Sequence, residues 1–440
     1  MRNPINTIRE WNEMNRKVIA FIAAVVLLIA AFMVDAYKAP LEAANQKNIT
    51  LTFLTWQTPL RDQYEAAFQK YSKLHANVKI QFSAIPTDQY PQALQIRVAS
   101  GDAPDLIQLW PGLQAVVPYA KSGLLADLSH EPWVKDLYDG PKQAVSYNGK
   151  VYAYPLETSV IGVIYNKKIF ADLKLEVPRT WEDFLKVCQK IKEAGKVPIA
   201  MPAKTAWCPQ FLPIYTLNGN LVYSKYPHFD DALMAGKATF ARSEYKRALE
   251  MFMELNDKGY YGADPLGITI EQAEQMMVKG DAAMTVNGSW TVAELQLIDP
   301  QYPAGMFPVP APVGYQTTIP VGQGSCYGIY YKSKNLAETK KLLKFLTEES
   351  VYNSFSKYSV ALSPSKKIKT DTPAAITDKM APAMEKASYQ FTNQTWAPGI
   401  QDAWQKNFQA LLSKTVSIDA VIKEMDEVAV KCVQRFKESK

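Results

Sequence analysis

From Asn48 onward the chain alternates short apolar runs with longer segments of helical spacing, and this alternation constrains its fold more than any other feature. "ITLTFLTW" (Ile49–Trp56) carries apolar residues on both parities, as a strand does when both faces of its sheet are covered. "LRDQYEAAFQKYSKL" follows with Tyr64, Phe68 and Tyr71 at helical spacing, and "VKIQFSAI" (Val78–Ile85) is the next strand. A helix is predicted around Tyr90–Ala99, and a third strand, "DLIQLW" (Asp105–Trp110), ends in tryptophan. Further on, "VIGVIYN" (Val160–Asn166) reads as a strand. The order predicts an α/β architecture with largely parallel sheets.

Local signals place the segment ends. In "RTWEDFLKVCQKIKEAG", Thr180 is the expected N-cap with Asp183 at the third helical position, and Gly195 lies just past the C-terminus. The apolar stripe Trp181, Phe184, Leu185, Cys188 and Ile191 suits a helix docked on a sheet. "ITIEQAEQMMVKG" carries a capping box, Thr269 with Gln272, and stops at Gly280. A buried strand Ala282–Val286, a turn at Asn287–Gly288, and a helix capped by Ser289 and beginning at Trp290 are predicted next. "YPAGMFPVPAPVGYQTTIP" (Tyr302–Pro320) holds five prolines, so it is extended and is expected to cross between lobes.

The 440 residues allow two domains or one large α/β body. The formal net charge of +6 is spread over mixed-sign helices with no Lys/Arg block, which argues against nucleic acid. Four cysteines are too few for a disulfide scaffold. Cys188 and Cys432 fall on apolar helix faces; Cys208 and Cys326 lie in loop-like surroundings where pairing and free thiols both stay open. With no CxxC and three scattered histidines (His75, His130, His228), no metal site is expected. Residues Val18–Val34 form an uncharged apolar run of seventeen, preceded by Arg2, Arg9, Arg16 and Lys17. That places the start in the cytoplasm and exports everything after Asp35, with an uncleaved anchor preferred over a removed signal peptide.

Tryptophan placement points to a binding surface. Trp56, Trp110 and Trp290 fall at the carboxyl ends of predicted strands, where open α/β sheets bind ligands. Trp207 and Trp396 lie in loops rich in Pro, Thr, Asn and Gln. An indole stacks on the C–H face of a sugar ring while neighbouring polar side chains take its hydroxyls. Trp133, Trp181 and Trp404 read as helix-packing residues.

Six segments in order carry a family likeness: "ITLTFLTW", "ASGDAPDLIQLWPG", "GKVYAYPLETSVIGVIYNKKIF", "PRTWEDFLK", "GDAAMTVNGSW" and "KNLAETKKLLKFLTEES". The chain resembles the extracellular solute-binding proteins of ABC importers, in the carbohydrate-binding family that includes the maltodextrin-binding proteins. The resemblance implies a two-lobed periplasmic-binding-protein-like α/β fold with the ligand cleft between lobes, here behind an N-terminal membrane or signal helix. It implies a leading segment 1–47 (cytoplasmic start, apolar helix 18–34 and tether), one lobe from 48–156 with 313–365, and another from 158–309 with 370–440. Crossings are implied near Leu156–Ser159, Met306–Pro312 and Ser365–Thr370.

Carried over by motif, Trp290 and the preceding Asn287 in "NGSW" match the family's stacking turn, Glu157 in "YPLETS" faces sugar hydroxyls, and Trp110 is a cleft aromatic. Trp56 and Gln57 match the first strand–loop contact, and Trp207 and Trp396 lie where the family often supplies aromatics. Gly324 in "GQGS" offers backbone N–H groups to the ligand, whereas Asp102 and Asp105 in "GDAPD" read as turn residues. The front end departs from the family, because no cysteine precedes Cys188 for lipid attachment.

The implied function is capture of a carbohydrate, more in keeping with an oligosaccharide, by hinge closure and delivery to the permease subunits of an ABC importer. A monomer with no cofactor, outside the plasma membrane, is expected. A co-receptor presenting sugar to a membrane sensor kinase is an alternative. An exported glycan-active enzyme using Glu157 has little support: there is no GxSxG, P-loop or HExxH, and Tyr327 stands where a dinucleotide fingerprint needs glycine.

Overall fold

A computed structural model describes residues 48–356, 362–370, 378–384 and 386–438. The apolar run 18–34 lies outside them; among the described residues, no helix is long and apolar enough to cross a membrane. The described residues form two compact units, 48–51 with 68–81, and 52–67 with the described residues from 82 onward. In the small unit Leu51, Phe68, Tyr71 and Val78 are buried, and Ile49 N–H donates to the Asn77 carbonyl (2.8 Å).

The strands are β1 (Ile49–Thr55), β2 (Val78–Ala84), β3 (Leu106–Leu109), β4 (Ser146–Tyr147), β5 (Lys150–Val151), β6 (Ala153–Pro155), β7 (Thr158–Asn166), β8 (Val197–Ile199), β9 (Ala282–Gly288), β10 (Ala304–Phe307), β11 (Ile319–Gln323), β12 (Cys326–Ile329) and β13 (Ser388–Gln390). The helices of nine residues or more are α1 (Arg61–Leu74), α2 (Tyr90–Ala99), α3 (Trp181–Glu193), α4 (Tyr245–Asp257), α5 (Ile270–Lys279), α6 (Trp290–Ile298), α7 (Leu336–Leu346), α8 (Ile400–Leu412) and α9 (Ile418–Glu438).

One sheet runs β2-β1-β3-β12-β6; another runs β13-β11-β7-β9-β8, with β10 also on β7. Both are mixed, which corrects the expectation of largely parallel sheets. The β1–β3, β8–β9 and β11–β13 pairs are parallel, but β12 lies antiparallel between β3 and β6, and β7 is antiparallel to β9, β10 and β11. Apolar periodicity reports that a strand is covered on both faces, a condition β7 meets without parallel neighbours. Its Ile161 and Val163 join the cluster of α3, α4, α8 and α9, while Val160 and Ile164 join that of α5 and α6.

The helix-end signals hold at two sites. Thr180 Oγ1 accepts from Asp183 N–H (3.1 Å), and Thr269 and Gln272 form a reciprocal capping box before Gly280 closes α5 in the left-handed region at φ 76°. Ser289 does not cap α6: its backbone is already helical, and its buried hydroxyl has no partner among the described residues. β9 runs on through Asn287 and Gly288, so the strand passes almost directly into the helix.

The proline-rich stretch does not cross between sheets. It leaves β7 after β10 and returns to the same edge as β11, because β10 pairs with Val163–Asn166 and β11 with Thr158–Val160. The chain changes sheet at Leu156–Glu157, between β6 and β7, and at Gly324–Ser325, between β11 and β12. Residues 313–323 therefore go with the β7 sheet. All four cysteines are buried free thiols, which closes the question of Cys208 and Cys326.

Candidate functional site

Adjacent parallel strands β1 and β3 carry Trp56 and Trp110 out at one end. Their indoles stack at 4.1 Å between centroids with planes 6° apart, and both remain partly exposed. Tyr90 stands edge-on to each, at 5.0 Å and 5.8 Å, and its hydroxyl donates to the Gln108 carbonyl (2.5 Å). The fully buried Gln108 side chain sits behind the pair: its Oε1 accepts from Trp56 N–H (3.2 Å) and from Thr55 Oγ1. Gln57 is tied inward, its Oε1 accepting from the Tyr64 hydroxyl, which meets the Tyr327 hydroxyl at 2.6 Å. Asp105 is a turn residue as expected, accepting from Thr52 N–H and Oγ1 (both 2.8 Å) and from Ser333 Oγ (2.5 Å). Asp102 is exposed and pairs with Arg97.

A second aromatic group sits at the carboxyl end of β9. Trp290 opens α6 and folds its ring back over Gly288, where any side chain would collide with it. Phe211 meets Trp290 at 5.8 Å and Trp207 at 5.7 Å, edge to face in both cases. Trp207 and Trp290 are partly exposed. The bridging Phe211 escapes sequence reading, although its spacing of four from Trp207 is a helical signal. Asn287 is buried, and its Oδ1 is occupied by Gly288 N–H (2.7 Å).

Trp396 is corrected from ligand contact to core. It is 2% exposed, and its Nε1 donates to Asp230 Oδ1 (2.8 Å). Asp230 also accepts from Tyr223 and Thr395, and burial pushes its carboxyl up to about 6. Trp396→Phe is expected to cost about 1–3 kcal/mol of stability by removing one of these three hydrogen bonds to the buried carboxylate while leaving ligand affinity unchanged. Denaturant titration beside a binding isotherm checks both halves.

Between the sheets lies Glu157. Leu156 N–H donates to Ser325 O (2.9 Å), Gly324 N–H to Glu157 O (3.1 Å), and Ser325 Oγ to Glu157 Oε1 (3.0 Å). The Gly324 N–H is thus used internally, not offered to a ligand, and the Glu157 carboxylate occupies the space a side chain at Gly324 would need. A third segment joins here, Thr158 and Leu362 exchanging backbone bonds of 2.9 Å. Desolvation pushes the Glu157 carboxyl up to about 7, against the opposing bond from Ser325.

The segment after Trp110 meets the one after β13: Asn393 Nδ2 donates to Gln114 Oε1 (2.6 Å), and Gln394 Nε2 to Gln323 O (2.6 Å) at the sheet change. Nothing in the local sequence marks Gln114, Asn393 and Gln394, since their partners lie 279 residues away for the first two and 71 for the third. Among the described residues, no group of three or more His, Cys, Asp or Glu side chains is arranged to hold a metal.

The family model for bacterial extracellular solute-binding proteins matches residues 57–352. The chain belongs to that family. This solute-binding protein is 25% identical over 338 residues to a multiple sugar-binding protein of Streptococcus mutans, covering 74% of this chain and 77% of that one. It is 24% identical over 341 residues to the melibiose/raffinose/stachyose-binding protein MelE of Bacillus subtilis, covering 76% and 77%. Its α/β fold matches that of a sugar transporter protein of Bacillus licheniformis solved with stachyose: TM-score 0.75, 20% identity, 86% of this chain and 99% of that one. The two relatives are named as sugar-binding proteins, and the family description calls its members extracellular.

Proposed function

We propose that this solute-binding protein captures an oligosaccharide in a cleft between two lobes, closes about a hinge, and delivers it to an ABC permease. The lobes are built on the two sheets, with the hinge at Leu156–Glu157, Gly324–Ser325 and the backbone bridge between Thr158 and Leu362. The stacked Trp56–Trp110 pair carries this reading. Two parallel indoles stacked face to face at the carboxyl ends of parallel strands offer an outer ring face of the size of a sugar ring, and a protein gains nothing in stability by leaving them partly in water.

Trp207, Phe211 and Trp290 supply the opposing platform. Glu157 accepts hydroxyls from between them. Gln57, with Oε1 held by Tyr64, keeps its amide for the ligand, whereas Asn287 supports the Trp290 turn from below. Several aromatics suit more than one sugar ring, in keeping with the sugars named for the relatives. The protein acts as a monomer outside the plasma membrane, held by the leading apolar run or released from it.

A thermal-shift panel of mono- and oligosaccharides tests the proposal. A ligand at a hundredfold excess over its Kd adds about 2.7 kcal/mol to the folded state and raises the midpoint by degrees. At least one oligosaccharide is expected to do so with a larger shift than its component monosaccharides. A flat response across the panel, or release of reducing ends, contradicts the binding reading.

A further inference from the structure

The segment that follows β13 belongs with one sheet and touches the loop that follows β3 of the other. Phe391 lies over Gly322 of β11, where any side chain would collide with it, and meets Tyr215 at 5.3 Å. Tyr215 meets Phe211 at 5.4 Å, and Phe211 in turn stands against Trp290. From this anchored base the segment reaches Gly112 and Gln114, two and four residues past Trp110. Gly112 is buried at φ 64°, and a side chain there would run into the Gln394 carbonyl oxygen. Asn393 Nδ2 donates to Gln114 Oε1 at 2.6 Å. The contact thus links the loop of one exposed tryptophan to the base of another.

Three features make it a contact that opens. Among the described residues, none from β3, β6 or β12 belongs to either apolar cluster packed on the β7 sheet, so no shared core holds the two sheets together here. Asn393 Oδ1 is buried without a hydrogen-bond partner. Closing the contact strips water from one atom of the amide while bonding the other, and the loss offsets part of the gain. Finally, Gln394 Nε2 donates to Gln323 O (2.6 Å), one residue before the sheet change at Gly324. That bond keeps Gln394 and Asn393 with β11 while Gln114 travels with β3, so rotation at Gly324–Ser325 parts the two amides.

We propose that Gln114 and Asn393 are positioning residues: with Gly112 seated on Gln394 they form a latch that joins when the lobes shut on a sugar and parts to release it. The latch presupposes the two lobes proposed above and governs how long they stay shut. It acts without touching the sugar, by holding the Trp110 loop against the opposing lobe. A bond made only in the shut form lengthens its lifetime and leaves the encounter rate alone.

The test uses the full chain and the oligosaccharide with the largest thermal shift in the panel, with release followed by stopped flow. Gln114→Ala and Asn393→Ala are each expected to speed release about 2- to 10-fold, with the association rate unchanged. Both remove the same bond, so the double variant is expected to release no faster than the faster single one, whereas in sugar-free unfolding the two substitutions are expected to add independently. Gly112→Ala puts a methyl group against the Gln394 carbonyl when the latch shuts. It is expected to speed release about tenfold or more and to reduce the sugar-induced contraction seen by small-angle X-ray scattering. Should that variant fail to fold, the amide pair decides alone. Coupling between the two amides in sugar-free unfolding identifies a contact that never opens and overturns the proposal. A release rate unchanged in either single variant overturns it as well. Failure of the binding reading shows earlier, as a flat panel; failure of the latch shows here, with sugar binding intact.

Discussion

Replacing Trp290 by alanine is expected to weaken oligosaccharide binding about 5- to 150-fold, or about 1–3 kcal/mol, in a protein that still folds. The indole is partly exposed and packs over Gly288, where the space for the ring exists only because a side chain is missing. Its burial is incomplete, and the loss of stability should fall below the ~3–5 kcal/mol of a fully buried tryptophan. Gly288→Val is the companion test. The new side chain displaces the ring, and the same loss of affinity should appear with Trp290 still in the chain, accompanied by a loss of stability. Titration calorimetry measures the affinities and denaturant unfolding the stabilities. Unchanged affinity in a folded Trp290→Ala protein removes that residue from the binding surface.

Glu157→Gln is expected to alter how stability depends on pH. The folded carboxyl titrates at about 7 against an ordinary 4.5, so the folded state holds a proton that the unfolded chain has released. Its contribution to stability is fully present below about 4.5, falls as pH rises through that interval, and is flat above about 7. The full shift corresponds to about 3 kcal/mol, and partial exposure of the residue reduces this to about 1–2 kcal/mol. The amide variant should be more stable than the natural protein near neutral pH by about that amount. Asp230 and Glu274 are raised as well and give slopes of the same sign, so the difference between the two proteins isolates Glu157. Chemical unfolding across this pH range measures it, and parallel curves would show that the carboxyl is solvated in the folded state. Sugar preference should shift in the variant, because an amide donates where the carboxylate only accepts.

Much of the fold can be read from local pattern. The caps at Thr180 and Thr269, the stop at Gly280, and the tryptophans at the ends of β1 and β3 all follow from spacing within a few residues. Features set by distant partners do not show. Apolar runs in β7 say that both faces are covered, yet its three antiparallel neighbours come from far along the chain. Prolines in 302–320 mark an extended path but not its destination, and the sheet change falls four residues later at Gly324. Trp396 looks like a loop aromatic until Asp230, 166 residues away, captures its N–H. The π-helical turns over Leu212–Leu217 and Gly219–Tyr223 follow a proline-containing apolar run with no distinguishing period.

The central claim is that aromatics borne by two different sheets grip one sugar chain. Titration of a single tight-binding oligosaccharide into the natural protein, Trp110→Ala and Trp290→Ala tests it most directly. Both variants should lose affinity for that same ligand, each by about 1–3 kcal/mol, with heat-capacity changes on binding smaller than in the natural protein. Loss in one variant, with the other unchanged and folded, would show that the two platforms do not share a ligand.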